Sequence, residues 1–149
     1  DDLHYGDNSL VWLKNSVEFW REFVPRAREL GTILAVENIF EKEPSTIKAL
    51  LDEVDDPCFR HCFDVGHWNM FTTVTMEEWF QELGSYIVES HIHDNNGKSD
   101  EHLPVGEGKI DFARFFPLLT HYAPQAIWTI EAHSAEHLQR ALTNIQKFV

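Results

Sequence analysis

Residues 90–108 read SHIHDNNGKSDEHLPVGEG, and the apolar run Tyr86-Ile87-Val88 leads into them. Three histidines, two aspartates and two glutamates fall here among glycines. An apolar run that gives way to a ligand-rich loop describes a buried strand delivering side chains into a site. Carboxylates and imidazoles without thiolates suit zinc, manganese, iron, cobalt or magnesium better than a structural zinc knuckle. The plain alternative is a polar surface loop that happens to be rich in histidine, so the rest of the chain has to decide.

Working outward, the same grammar repeats. Thr32-Ile33-Leu34-Ala35-Val36 is a compact apolar run ending on Glu37-Asn38, and residues 59–63 form another, ending on Asp64-Val65-Gly66-His67. A fourth, over 126–130, ends on Glu131. Helical patterns fill the intervals. Leu10, Leu13, Val17 and Trp20 define one apolar face, and Pro25 is expected to kink that helix or start a second one through Leu30. Ser45 caps a helix over 46–54, and Thr75 with Glu78 forms a capping box for another over 76–83. Asp111 caps a helix carrying Phe112, Phe115, Phe116 and Leu119, and Ser134 caps the last one. Strands alternating with helices mean βα units and a mainly parallel sheet. Unalternating apolar strands agree, because parallel strands are covered on both faces. No linker interrupts the pattern, so one domain over residues 1–149 is expected.

Composition narrows the classes. A chain of 149 residues that is 43% hydrophobic and 13% aromatic can bury a real core. Its apolar runs fall far short of the ~20 residues that span a bilayer, and its start lacks a secretory signal pattern. A soluble, cytoplasmic protein without a membrane partner is expected. The net charge of −13 repels polyanions, which weighs against nucleic acid. A metal-filled cleft in an acidic protein can still be locally positive. Cys58 and Cys62 are four apart in or beside a strand, too far to bridge, and read as thiols of a reducing compartment.

Each of the four strands therefore ends in a potential metal ligand: Glu37, Asp64, His91 and Glu131. Their successive gaps are 27, 27 and 40 residues, the first two about one βα unit and the third lengthened by the loop over 94–109. The carboxyl ends of parallel strands gather at one face, where ligands bind, so these four side chains converge. His61, inside a strand, reads as a core residue. His93 shares a face with His91 by strand alternation and reads as a supporting group, as does Asp94.

The chain resembles the xylose-isomerase-like TIM barrels, a family of sugar isomerases and epimerases that includes the endonuclease IV group. The resemblance rests on Ala35-Val36-Glu37-Asn38, Phe63-Asp64-Val65-Gly66-His67, His91-Ile92-His93-Asp94-Asn95, Asp100-Glu101-His102-Leu103-Pro104 with Gly106-Glu107-Gly108, and Ile130-Glu131. It implies that Glu37, Asp64, His91 and Glu131 hold a divalent metal (Mn, Mg, Co or Zn). It implies that His67 touches substrate, or a further zinc in the endonucleases, and that Asp100 and His102 match the D-x-H pair of that extra zinc. His4 sits where members often carry a His-Pro-Gly strand end, a pattern from which Tyr5 departs.

A full barrel needs eight units and roughly 250 residues, against four strands here. The resemblance places this chain as the C-terminal half, from the end of strand four through helix eight. The remaining strands are then expected from a missing N-terminal half or from a second copy in a homo-oligomer. The chemistry implied is metal-dependent isomerisation or epimerisation of a small sugar or related hydroxy-carbonyl compound. Glu37 and Glu131 would flank the substrate as the proton-transfer pair. A zinc phosphodiesterase acting on abasic DNA is the second reading, and a non-catalytic metal-binding half-domain the third.

Overall fold

The apolar runs become the strands of a single sheet. A computed structural model describes residues 9–149, so His4 lies outside the described residues. A long helix, α1 (Ser9–Leu30), precedes β1 (Leu34–Glu37), α2 (Ser45–Val54) and β2 (Phe59–Asp64). There follow α3 (Val65–Phe71), α4 (Met76–Leu83), a 3-10 turn, β3 (Ile87–Ile92), α5 (Phe112–Tyr122), β4 (Ile127–Ile130) and α6 (Ala135–Ile145). The sheet runs β1-β2-β3-β4 with every pair parallel. Register sets Glu37 beside Cys62 and Asp64 beside His91, and the Glu131 amide donates to Ile92 O at 3.1 Å. The four strands therefore finish together.

Strand alternation divides the side chains between two faces. Phe59, His61 and Phe63 point into the helical layer, where Phe63 packs against Trp79, Phe80 and Phe115 with ring centroids 5.1–6.1 Å apart. His61 is completely buried: its Nδ1 lies 2.8 Å from Val36 O, and Trp79 Nε1 donates to its Nε2 at 3.4 Å. Burial drives its pKa down to about 4, so the ring is neutral. Arg60, Cys62 and Asp64 alternate onto the opposite face of β2, which leads to the site. Cys62 is buried, Cys58 half-buried, and both are free thiols.

Three features differ from the sequence expectation. Ser45 does not cap α2: it is the first residue of the helix, which has no side-chain cap, and its Oγ donates to Glu43 instead. Pro25 lies inside one continuous helix, α1, and starts no second one; Val24 and Ala27 on either side are buried, and that packing carries the helix past the missing N–H. Directly after β2 a two-turn helix, α3, begins at Val65 without any intervening loop. Its cause is Asp64, whose carboxylate accepts the His67 amide at 2.6 Å and so caps the helix N-terminus. No helix among the described residues is long and apolar enough to cross a membrane.

Candidate metal centre

Asp64 is the pivot. It has no exposed surface, and a buried carboxylate persists only with partners. Asn38 fixes its backbone from the end of β1: Asn38 Nδ2 donates to Asp64 O and Asp64 N donates to Asn38 Oδ1, each at 2.9 Å. That reciprocal pair locks two strand ends together and aims the Asp64 carboxylate across the top of the sheet.

His91 Nδ1 faces this carboxylate from β3. It lies 3.7 Å from Asp64 Oδ2, 3.6 Å from Glu37 Oε1 and 3.3 Å from Glu131 Oε1. It is buried, yet makes no hydrogen bond among the described residues. Three carboxylate oxygens ring this nitrogen without an aligned hydrogen bond, and their separations suit a shared cation. A tetrahedral ion with ligands at ~2.1 Å holds its ligand atoms roughly 3.4 Å apart. The oxygen and nitrogen donor set fits a divalent ion, with Glu37, Asp64, His91 and Glu131 to hold it.

The charges are arranged accordingly. The neighbouring His67 and His91 imidazoles hold Glu37 down to about 2. Cys62 and Glu37 push His91 up to about 11. Burial lowers the His67 pKa, but the bond to Glu37 and the charge of Asp64 outweigh it and raise it to about 9. His67 reaches Glu37 Oε1 at 3.1 Å and Asn38 O at 3.0 Å through Nδ1. Without an ion, the carboxylates keep both rings protonated.

A second cluster stands beside the first. His102 Nε2 lies 3.0 Å from Asp100 Oδ2, and His67 Nε2 lies 3.5 Å from the same atom. The tighter trio is His93, Asp100 and His102, whose ligand atoms all lie within 4.8 Å. His93 and His102 stack at 3.9 Å with an interplanar angle of 3°, and His133 stacks on His102 at 4.3 Å. His93 also places Nε2 at 3.2 Å from both oxygens of Asp64, and Asp64, His93 and Glu131 form another close trio. His93 thus stands within ligand reach of both clusters. The i, i+2 spacing to His91 is the signal for that.

Asp94 acts on backbone: its carboxylate accepts the amides of Asn95, Gly106, Gly108 and Ile110 at 2.7–3.1 Å. It thereby closes the loop that carries Asp100 and His102. No spacing rule in the sequence identifies such a role. Phe40 and Phe71 meet edge-to-face at 5.1 Å near His67, with Phe40 half-exposed.

Four parallel βα units with a polar cluster across their carboxyl ends define the chain as part of a β/α barrel. Residues 4–147 match the model of the xylose isomerase-like TIM barrel family, and the chain belongs to that family. A D-tagatose 3-epimerase-like protein superposes with a TM-score of 0.84 at 24% identity, over 99% of this chain and 58% of that one. A Thermus thermophilus protein soaked with zinc chloride superposes with a TM-score of 0.76 at 21% identity, over 97% of this chain and 57% of that one. An uncharacterized protein of Methanocaldococcus jannaschii is 29% identical over 126 residues, 80% of this chain and 43% of its own length. The chain spans about half the length of the relatives it matches.

Proposed function

We propose that this chain carries the metal-binding, proton-transferring part of an isomerase or epimerase acting on a small sugar or related hydroxy-carbonyl compound. The observation that carries the reading is the buried His91 Nδ1, without a hydrogen bond, facing Glu37, Asp64 and Glu131 together. Likeness to a D-tagatose 3-epimerase-like protein supports the substrate class. We read residues 1–149 as one unit, in the cytoplasm, contributing the C-terminal half of a barrel.

Glu37, Asp64, His91 and Glu131 would hold the ion, which supplies a Lewis acid for negative charge on substrate oxygens. Glu37 is ionised at neutral pH and serves as a base toward a substrate carbon. Glu131, from the other end of the sheet, exchanges a proton on the opposite side. His67, kept protonated by Glu37 and Asp64, donates to a substrate oxygen. Phe40 and Phe71 cover the apolar face of the sugar.

The trio His93, Asp100 and His102 favours a second reading, a zinc phosphodiesterase with additional metal ions, against which the charge of −13 counts. Metal content followed by a sugar screen on the full-length protein separates them. One divalent ion per site, with turnover lost in Glu131→Gln, is expected for the isomerase. Two or three zincs with cleavage of abasic DNA would replace it, and retained sugar turnover in Glu131→Gln would remove the proton-transfer role.

A further inference from the structure

One layer below the strand-end cluster, on the same face of β3, stands a carboxylate that the proposed chemistry leaves without a task. We infer that Glu89 is a positioning residue: its carboxylate faces Nε2 of His91, favours the ring proton on that nitrogen, and so turns the Nδ1 lone pair toward Glu37, Asp64 and Glu131. The inference rests on the metal-centre reading above.

Glu89 and His91 are two apart on one strand and therefore share a face. The ring lies between two sets of oxygens. Nδ1 has its three carboxylates at 3.3–3.7 Å, while Nε2 has Glu89 Oε1 at 3.8 Å. Glu89 is itself held from β4, where Thr129 Oγ1 donates to its Oε1 at 2.5 Å, and register sets Thr129 beside His91. A neutral ring must choose one nitrogen for its proton. With the proton on Nδ1, the Nε2 lone pair would face the Glu89 carboxylate and no nitrogen would be free for an ion among Glu37, Asp64 and Glu131. With the proton on Nε2, that proton faces the Glu89 carboxylate and Nδ1 is free. Carboxylates behind ligating histidines fix tautomer and orientation in this way, and their loss costs ~10–100-fold in metal affinity.

Cys62 pairs with Glu89 in register, and Cys62, Glu89 and His91 could be taken for a separate cation site. A nitrogen that keeps its proton toward Glu89 cannot also ligate there, so the proposed tautomer and a cation at Cys62 exclude each other.

The test compares full-length wild type with Glu89→Leu, Glu89→Gln and Cys62→Ser, using zinc titration and nitrogen-15 spectra of the imidazoles in the zinc-loaded protein. Cobalt is substituted for zinc as a probe for thiolate. Expected are a 10–100-fold weaker zinc affinity and a lost or fast-exchanging Nε2 proton in Glu89→Leu. Substantial recovery is expected in Glu89→Gln, whose amide oxygen still accepts, and affinity within about twofold of wild type in Cys62→Ser. Asp64→Asn serves as the reference for the metal centre. If Asp64→Asn weakens zinc while Glu89→Leu leaves affinity and proton unchanged, Glu89 has no such role. A thiolate-to-cobalt charge-transfer band that vanishes in Cys62→Ser would overturn it in favour of the separate site. Wild type that takes up no zinc overturns the metal centre itself, and this inference with it.

Discussion

A methyl group on Gly66 would stand 2.0 Å from Cε1 of His93, so the first turn of α3 and the imidazole beneath it share a space only glycine leaves open. Asn95 Nδ2 donates to Gly66 O at 2.9 Å and holds the turn in place from the far side. The helix therefore cannot simply lift.

Gly66→Ala should push the His93 ring off Asp64 and off its stack with His102. Overpacking of this kind costs about 1–3 kcal/mol, to be read by denaturant unfolding. Zinc affinity should fall at least about tenfold, because His93 contacts both clusters. Wild-type affinity with a wild-type unfolding midpoint would show that the ring moves aside at no cost.

Asp94→Ala removes one carboxylate that four backbone amides share. Hydrogen bonds to a charged group contribute ~1.5–3 kcal/mol each and are not additive when shared, so a loss of about 3 kcal/mol or more is expected. Amide hydrogen exchange should accelerate at Gly106, Gly108 and Ile110 and stay slow at Phe63 and Ile92. Uniform acceleration over the whole sheet would mean that Asp94 supports the core rather than the loop.

The order of elements and the four strand ends were legible because their signals are local. Thr75 with Glu78, Asp111 and Ser134 all cap the helices they precede, and Glu37, Asp64, His91 and Glu131 meet as their spacing implied. What stayed hidden depends on tertiary contact. Asp64 reads as a ligand, which conceals that it caps α3. The helix itself, Val-Gly-His-Trp-Asn-Met-Phe, has too few turns for a period. His93 reads as a supporting group until Gly66 is seen to make room for it beside Asp64. Asp94 reads as a partner for histidine, while its partners are amides up to 16 residues further along the chain. Its destination is set by how the loop closes.

Stability should fall between pH 6.5 and about 4 because of His61. Its pKa is 6.5 when unfolded and about 4 when folded, so the unfolded chain takes up the proton first. The contribution is complete above pH 6.5, declines as the pH drops, and levels off below 4, amounting to on the order of 3 kcal/mol. Glu37, lowered from 4.5 to about 2, acts only below pH 4.5. The raised pKa values of His67 and His91 in the metal-free protein contribute below pH 6.5 and are lost toward pH 9 and 11. Between about pH 5.5 and 5 these other groups change their proton uptake little, so the slope there is mostly that of His61. Urea midpoints of metal-free protein across that interval should slope in wild type and flatten in His61→Gln; an equal slope in both would assign the effect elsewhere.

Divalent metal should stabilise the folded chain through the cluster around His91, because the unfolded chain lacks the assembled ligands. At a free zinc concentration about 100 times Kd, linkage predicts about 2.7 kcal/mol, visible as a raised unfolding midpoint that a chelator reverses. Asp64→Asn keeps an oxygen for the His67 amide, so α3 retains its cap, while the negative charge an ion needs is gone. Its metal-free midpoint should stay near wild type and its zinc-dependent shift should disappear. Glu43→Gln serves as the comparison: Glu43 is exposed and accepts from Ser45 Oγ at 3.0 Å, away from the cluster, so its zinc shift should be retained in full. A shift that survives Asp64→Asn but fails in His102→Ala would move the strongest metal position to the His93, Asp100 and His102 trio.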